Sequence, residues 1–163
     1  MSGYSKEWVD LMQKEEAFRK AVGHYNLKVS AEIHKKDIEQ ALNDRKHRLI
    51  VTRLMSEGYF PPETIEQVWE QLVYLVFYGD MSTSAWSVSA LQKMSYTKQQ
   101  LYCDEISRLA LVYADKEKHD DIALMFGLQL LYKLGNKETL KQYIEKFKEY
   151  LDLSEADINH YLK

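Results

Sequence analysis

Two carboxylate–histidine pairs, Asp44/His47 and Asp157/His160, stand three residues apart, an offset that sets both side chains on one face of a helix. Carboxylate-bridged di-metal bundles use this offset with Glu, twice, and add Glu from two further helices. Here Arg45, Lys46 and Arg48 surround the first pair with positive charge, and the second lies where a terminal helix frays. Solvated surface residues account for both pairs, so neither a metal nor another cofactor is expected. In His119-Asp120-Asp121, Asp121 reads as the N-cap of a following helix and the dipole of that helix favours a second carboxylate. The lone Cys103 is followed by Asp104 and Glu105, whose charges raise a thiol pKa and so deactivate it. Gly-rich phosphate loops, a Ser-centred elbow, His-Glu-x-x-His and Cys-x-x-Cys are all absent from the chain.

Arg19 and His24 have an Arg-x4-His spacing. In this they resemble the helical ribonucleases called HEPN domains, whose Arg and His converge on an RNA phosphate. The resemblance spans six residues, lacks the polar residue that usually follows the Arg, and has Gly23 between the pair as the expected end of the helix. No catalytic residue is assigned, and the chain is not expected to be an enzyme. Nucleic-acid binding would rest on Lys35, Lys36, Arg45, Lys46, Arg48 and Arg53. A solvated helix face explains these residues better, since the acidic remainder repels phosphate within a screening length of about 8 Å.

The strongest surface signal follows Pro61-Pro62. Stepping roughly 100° per residue from Glu63, the residues Ile65, Val68, Trp69, Leu72 and Val76 occupy one arc, roughly 140° to 240°, and predict the core side. Within roughly 60° of Glu63 lie Glu66, Glu70, Tyr74, Phe77 and Tyr78. Three carboxylates thus precede three aromatics on the outer face. A later helix of the same chain could cover the aromatics. Otherwise a partner protein does, since Tyr supplies large contact area and carboxylates make a rim for a basic surface. The candidate partner-binding residues are therefore Glu63, Glu66, Glu70, Tyr74, Phe77 and Tyr78, with Asp120 and Asp121.

The elements that must position these residues are helical. Ser5 caps a first helix stopped at Gly23, and His24–Val29 is a connection. Ser30 caps a long helical stretch ending at Gly58, with a break near Lys36-Asp37 where the apolar stripe shifts. Pro62 opens a helix closed by Gly79. Met81–Ser84 reads as a linker, Trp86–Met94 as a short helix, and Thr97 as the cap of the next. A charged connection, Asp115–Asp121, leads to an apolar helix over 122–134. Asn136 caps another helix, and Ser154-Glu155-Ala156-Asp157 resembles a capping box for the last. This predicts an all-α fold, with seven to eight helices as stacked antiparallel hairpins or an irregular bundle. No fixed-period repeat is present.

The chain's 163 residues suit a single helical domain, 1–163. Its 6 Gly and 2 Pro leave little turn chemistry for an all-β fold. One cysteine, no signal-like start and no long apolar run predict a cytoplasmic protein without a membrane partner. Net charge is −3, unevenly spread: residues 14–53 carry ten Lys/Arg against six acids, and residues 54–125 five against eleven. Twelve tyrosines complete the picture; Tyr102, Tyr113 and Tyr143 fall on core stripes.

In size, helical class and the acidic, tyrosine-rich middle, the chain resembles the immunity proteins of bacterial contact-dependent or polymorphic toxin systems. That resemblance implies an antitoxin function, neutralising a cognate toxin, often a basic nuclease, by occluding its active or substrate-binding face. A helical adaptor or regulatory subunit using the same faces is the alternative, followed by an RNA-binding or HEPN-like domain using residues 19–53.

Overall fold

The computed structural model describes residues 3–163, which form ten α-helices and, among the described residues, no strand. They are α1 (Lys6–Lys28), α2 (Ala31–Leu42), α3 (Arg48–Ser56), α4 (Pro62–Gln67), α5 (Trp69–Tyr78), α6 (Met81–Leu91), α7 (Tyr96–Tyr113), α8 (Asp121–Leu134), α9 (Lys137–Phe147) and α10 (Glu155–Tyr161). The fold is all-helical, as expected, but has ten helices where seven to eight were predicted. The Ser30 stretch, expected to break near Lys36-Asp37, breaks elsewhere, and the stretch after Pro62, expected to be one helix, is divided in two. Ser30 begins a stretch interrupted by a turn over Asn43–His47, where Asp44 O accepts from the N–H groups of His47 and Arg48, and not near Lys36-Asp37. The stretch after Pro62 breaks at Val68, whose N–H turns to Ile65 O at 3.1 Å. Short polar side chains still cap as read from the sequence: Ser5, Ser30, Asn136 and Ser154 each accept a backbone N–H from the first turn, and Ser154/Asp157 form the full capping box.

Four of the boundaries read from the sequence lie elsewhere. α1 runs through Gly23, because Tyr25 and Asn26 beyond it are held by tertiary bonds. The Tyr25 hydroxyl donates to Asp37 at 2.6 Å, and Asn26 Nδ2 donates to Tyr59 O at 2.7 Å. Met81–Ser84 is helix, since Asp80 caps it by accepting from Thr83 N at 2.8 Å. Ser95 and Asp120, not Thr97 and Asp121, cap α7 and α8. At the end of α3, Gly58 takes φ 83°. There Tyr59 N bonds Leu54 O and Gly58 N bonds Met55 O, the paired closure that a left-handed glycine permits.

The core is one cluster organised around α5 and α8. α5 packs on α6, α7 and α8, while α8 packs on α5, α6, α7 and α9. Gly127, midway along α8, makes this closeness possible. A Cβ there would collide with the Tyr143 hydroxyl and come within 2.6 Å of the Phe77 ring. Tyr143 is fully buried and donates its hydroxyl to Leu124 O at 2.6 Å, tying α9 to α8. α3 lies against α6 and α2, and Met55 of α3 with Ile38 and Leu42 of α2 extends the same core. α1 packs lengthwise on no other helix and is held mainly at its C-terminal end.

Candidate functional site

α5 is hemmed in by three helices, so its buried arc is wide: Trp69, Leu72, Val73, Leu75, Val76 and Phe77 all point inward. Only every fourth residue escapes. Glu70, Tyr74 and Tyr78 form a single exposed stripe, with Tyr74 44% and Tyr78 38% accessible. Phe77, read from the sequence as part of the outer face, is 2% accessible, which takes it out of any pre-formed contact surface. The physical reason is the break at Val68 together with the third neighbour, α8, whose Gly127 opens a slot for the ring.

The aromatic side chains of the stripe are ordered by one another. Tyr74 and Tyr78 stack with centroids 4.4 Å apart and planes 11° from parallel. Tyr113 from α7 meets both edge-on, at 5.6 and 5.9 Å. Beneath Tyr78, His119 packs edge-on at 4.6 Å and also meets Phe77. Edge-to-face pairs of this kind contribute about 0.5–1.5 kcal/mol beyond their area, so the two exposed rings are held rigidly. Burial first, and the Glu70 carboxylate second, push the Tyr113 hydroxyl above the usual phenol range.

His119 also brings the loop acids to this surface. Asp120 and Asp121 follow it directly and are exposed at the start of α8, where Asp120 accepts from Ala123 N at 2.9 Å. Glu70, Tyr74, Tyr78 and the Asp120-Asp121 corner therefore border one aromatic cluster. Glu66 and Glu63 lie elsewhere. Glu66 accepts from Ser95 N at 3.0 Å, closing the start of α7. Glu63 lines a separate cleft with Asn26, His34 and Gln67.

Sequence reasoning missed the cleft beside the stripe. A depression of about 470 Å³ is lined by Asn43 and Arg48 from the α2–α3 corner, Glu70, Gln71 and Tyr74 from α5, and Tyr113 from α7. Arg48 Nε is buried there without a hydrogen-bond partner. The cleft thus offers one cation, one anion and two phenols. Its walls come from segments far apart in sequence; Arg48, Glu70, Tyr74 and Tyr113 each stood out in the sequence, but nothing there showed that they meet.

The other chemical candidates are dispersed. Arg19 and His24 project from α1 roughly 140° apart; Arg19 is bound to Glu15 at 2.9 Å and lies over the Tyr59 ring. Asp44 pairs with His47 at 3.1 Å, and Asp157 is used in its capping box. Among the described residues no three His, Cys, Asp or Glu side chains converge on a point. Arg45 and Lys46 lie in the α2–α3 turn rather than in line with Arg53 on one helix, while Lys35 and Arg53 pair with Glu39 and Glu57. Burial and then Asp104 raise the Cys103 thiol. Among the described residues no helix is long and apolar enough to cross a membrane.

No protein-family model, curated protein or solved structure matches this chain.

Proposed function

We propose that this chain is a non-catalytic protein-binding module of the immunity type, which neutralises a basic, nuclease-type toxin domain by covering its active or substrate-binding face. The observation that carries the reading is the pre-ordered Tyr74–Tyr78 stack, half-exposed between the Glu70 carboxylate and the Asp120-Asp121 corner. Rigid tyrosines bind with little entropy loss, and flanking carboxylates steer a basic surface into place. Phe77 contributes from behind, by holding the cluster, and the cleft beside Tyr74 can receive a side chain of the partner.

The test is co-purification with the product of the neighbouring gene, together with rescue of growth when that product is toxic. Tyr74→Ala with Tyr78→Ala removes the stack. Loss of one buried tyrosine anchor is worth about 2 kcal/mol, or about 30-fold in Kd. Glu70→Lys with Asp121→Lys should slow association and lessen its salt dependence. Full-strength binding by both variants refutes this surface. Stable binding without rescue points instead to the adaptor reading.

A further inference from the structure

α1 is fastened to the rest of the chain at one end. Every residue from 6 to 21 is exposed, and the first buried side chain is Val22. Beyond it the fastening is polar. The Tyr25 hydroxyl donates to Asp37 of α2, Asn26 Nδ2 donates to Tyr59 O in the α3–α4 connection, and Asn26 Oδ1 accepts from His34 Nε2 of α2 at 2.9 Å. The joint to α2 is two extended residues, Val29 and Ser30. Asn26 uses both ends of its amide at once. Because Nδ2 is committed to a carbonyl, Oδ1 faces His34, and His34 must present an N–H there.

His34 is 7% accessible and lies between the Tyr25 ring at 5.1 Å and the Phe60 ring at 5.7 Å. It also borders a cleft of about 190 Å³ shared with Asn26, Glu63 and Gln67. Few charged groups face it. α2 supplies Asp37, which already accepts from Tyr25, and α4 supplies Glu63 across the cleft. α1 supplies only the Tyr25 phenol, and the α3–α4 connection the Phe60 ring. Among the described residues none accepts a hydrogen bond from His34 Nδ1. We propose that His34 is the catch of a pH-sensitive latch, which holds α1 docked while the imidazole is neutral and releases it when Nδ1 takes a proton.

That proton brings a full charge into the slot between Tyr25 and Phe60, with no acceptor at Nδ1. Burial outweighs the attraction of Asp37, so the docked form holds the imidazole below its ordinary pKa. When α1 swings away it takes Tyr25 and Asn26 with it, and the ring returns toward the ordinary value of about 6.5. Protons therefore bind the released form in preference, and acid shifts the equilibrium toward release. Release also bares Ile50 and Leu54 of α3, which with Phe18 and Tyr59 line an apolar groove between the two helices. The latch is separate from the tyrosine stripe of α5, so it stands or falls apart from the proposed function.

A solvated helix without its anchors is marginal in water, so release shows as lost protection of the α1 amides. Hydrogen exchange of the full chain, followed by NMR at about pH 7.5 and about pH 5.5 and corrected for intrinsic rates, provides the test. Leu128, fully buried in α8, marks global unfolding. The Tyr25 and Asn26 amides should be less protected than Leu128 at both pH values. Their protection should fall several-fold at the lower pH, and by no more than about tenfold, the limit set by a released pKa of about 6.5. His34→Gln keeps an N–H donor for Asn26 and cannot titrate, so the fall should vanish while Leu128 stays protected. Tyr25→Phe removes the bond to Asp37 and leaves His34, so protection should drop at both pH values and the fall should remain. Equal protection of Tyr25 and Leu128 in the wild type would show that α1 opens only with the whole fold, and overturns the latch. A wild-type protection that does not change with pH, or a fall that persists in His34→Gln, overturns it equally.

Discussion

Gly127→Ala sets helix propensity directly against packing, and the structure decides which wins. Taken alone, alanine in a helix interior is favoured over glycine by about 1 kcal/mol. Here the added methyl would enter a filled slot. It collides with the Tyr143 hydroxyl and sits 2.6 and 2.7 Å from two carbons of the Phe77 ring. Neither ring can swing away into solvent, because Tyr143 is fully buried and Phe77 nearly so. Overpacking of this kind costs about 1–3 kcal/mol, and displacing Tyr143 from Leu124 O forfeits about 1 kcal/mol more. The expected net destabilisation is about 1–3 kcal/mol, seen in urea unfolding. At this chain length, with about 2–4 °C per kcal/mol, it corresponds to a fall in Tm of about 2–12 °C. Tyr143→Phe removes the atom in closest conflict. Gly127→Ala with Tyr143→Phe should therefore lose at least about 0.5 kcal/mol less than the two single changes added together. A rise in Tm for Gly127→Ala would show that α5, α8 and α9 do not meet this closely, and would refute the account of why Phe77 turns inward.

Two further predictions concern charge and caps. His34 is buried between Tyr25 and Phe60, with Nε2 donating to Asn26 Oδ1 at 2.9 Å, and burial outweighs the opposing pull of Asp37 to lower its pKa. The folded state then favours neutral imidazole, so between the lowered value and about 6.5 the unfolded chain binds more protons. Stability should decline as pH falls below about 6.5, and the decline should flatten in His34→Gln; an unchanged slope in urea midpoints between pH 7.5 and 5.5 would sink this assignment. Asp80→Ala removes the cap of α6 and should cost about 1 kcal/mol. The Thr83 N–H holds the Asp80 carboxyl below the usual carboxylate range. Its contribution is therefore complete above about pH 4 and disappears as pH falls through the lowered value; a wild-type and variant gap that persists at pH 2 would contradict it.

What sequence alone determined is whatever a few neighbouring residues decide. Ser5, Ser30, Asn136 and Ser154 cap helices because a short side-chain oxygen reaches an N–H three residues on, and no distant contact is needed. The inward arc of α5 was likewise legible in Trp69, Leu72 and Val76, as their spacing repeats every turn. Tertiary structure decided how wide that arc is. Phe77 and Tyr78 are adjacent aromatics; one is buried and the other half-exposed because α8 presents a glycine, Gly127, from fifty residues away. The same holds for α1, which passes Gly23 because Tyr25 and Asn26 find partners on α2 and in the α3–α4 connection. It holds for Glu66, too, which left the acidic row to close α7 at Ser95. A helix and its caps are local free-energy minima, readable by period. Which of its flanks meets solvent depends on how many helices pack around it, and that number is set only when the chain closes.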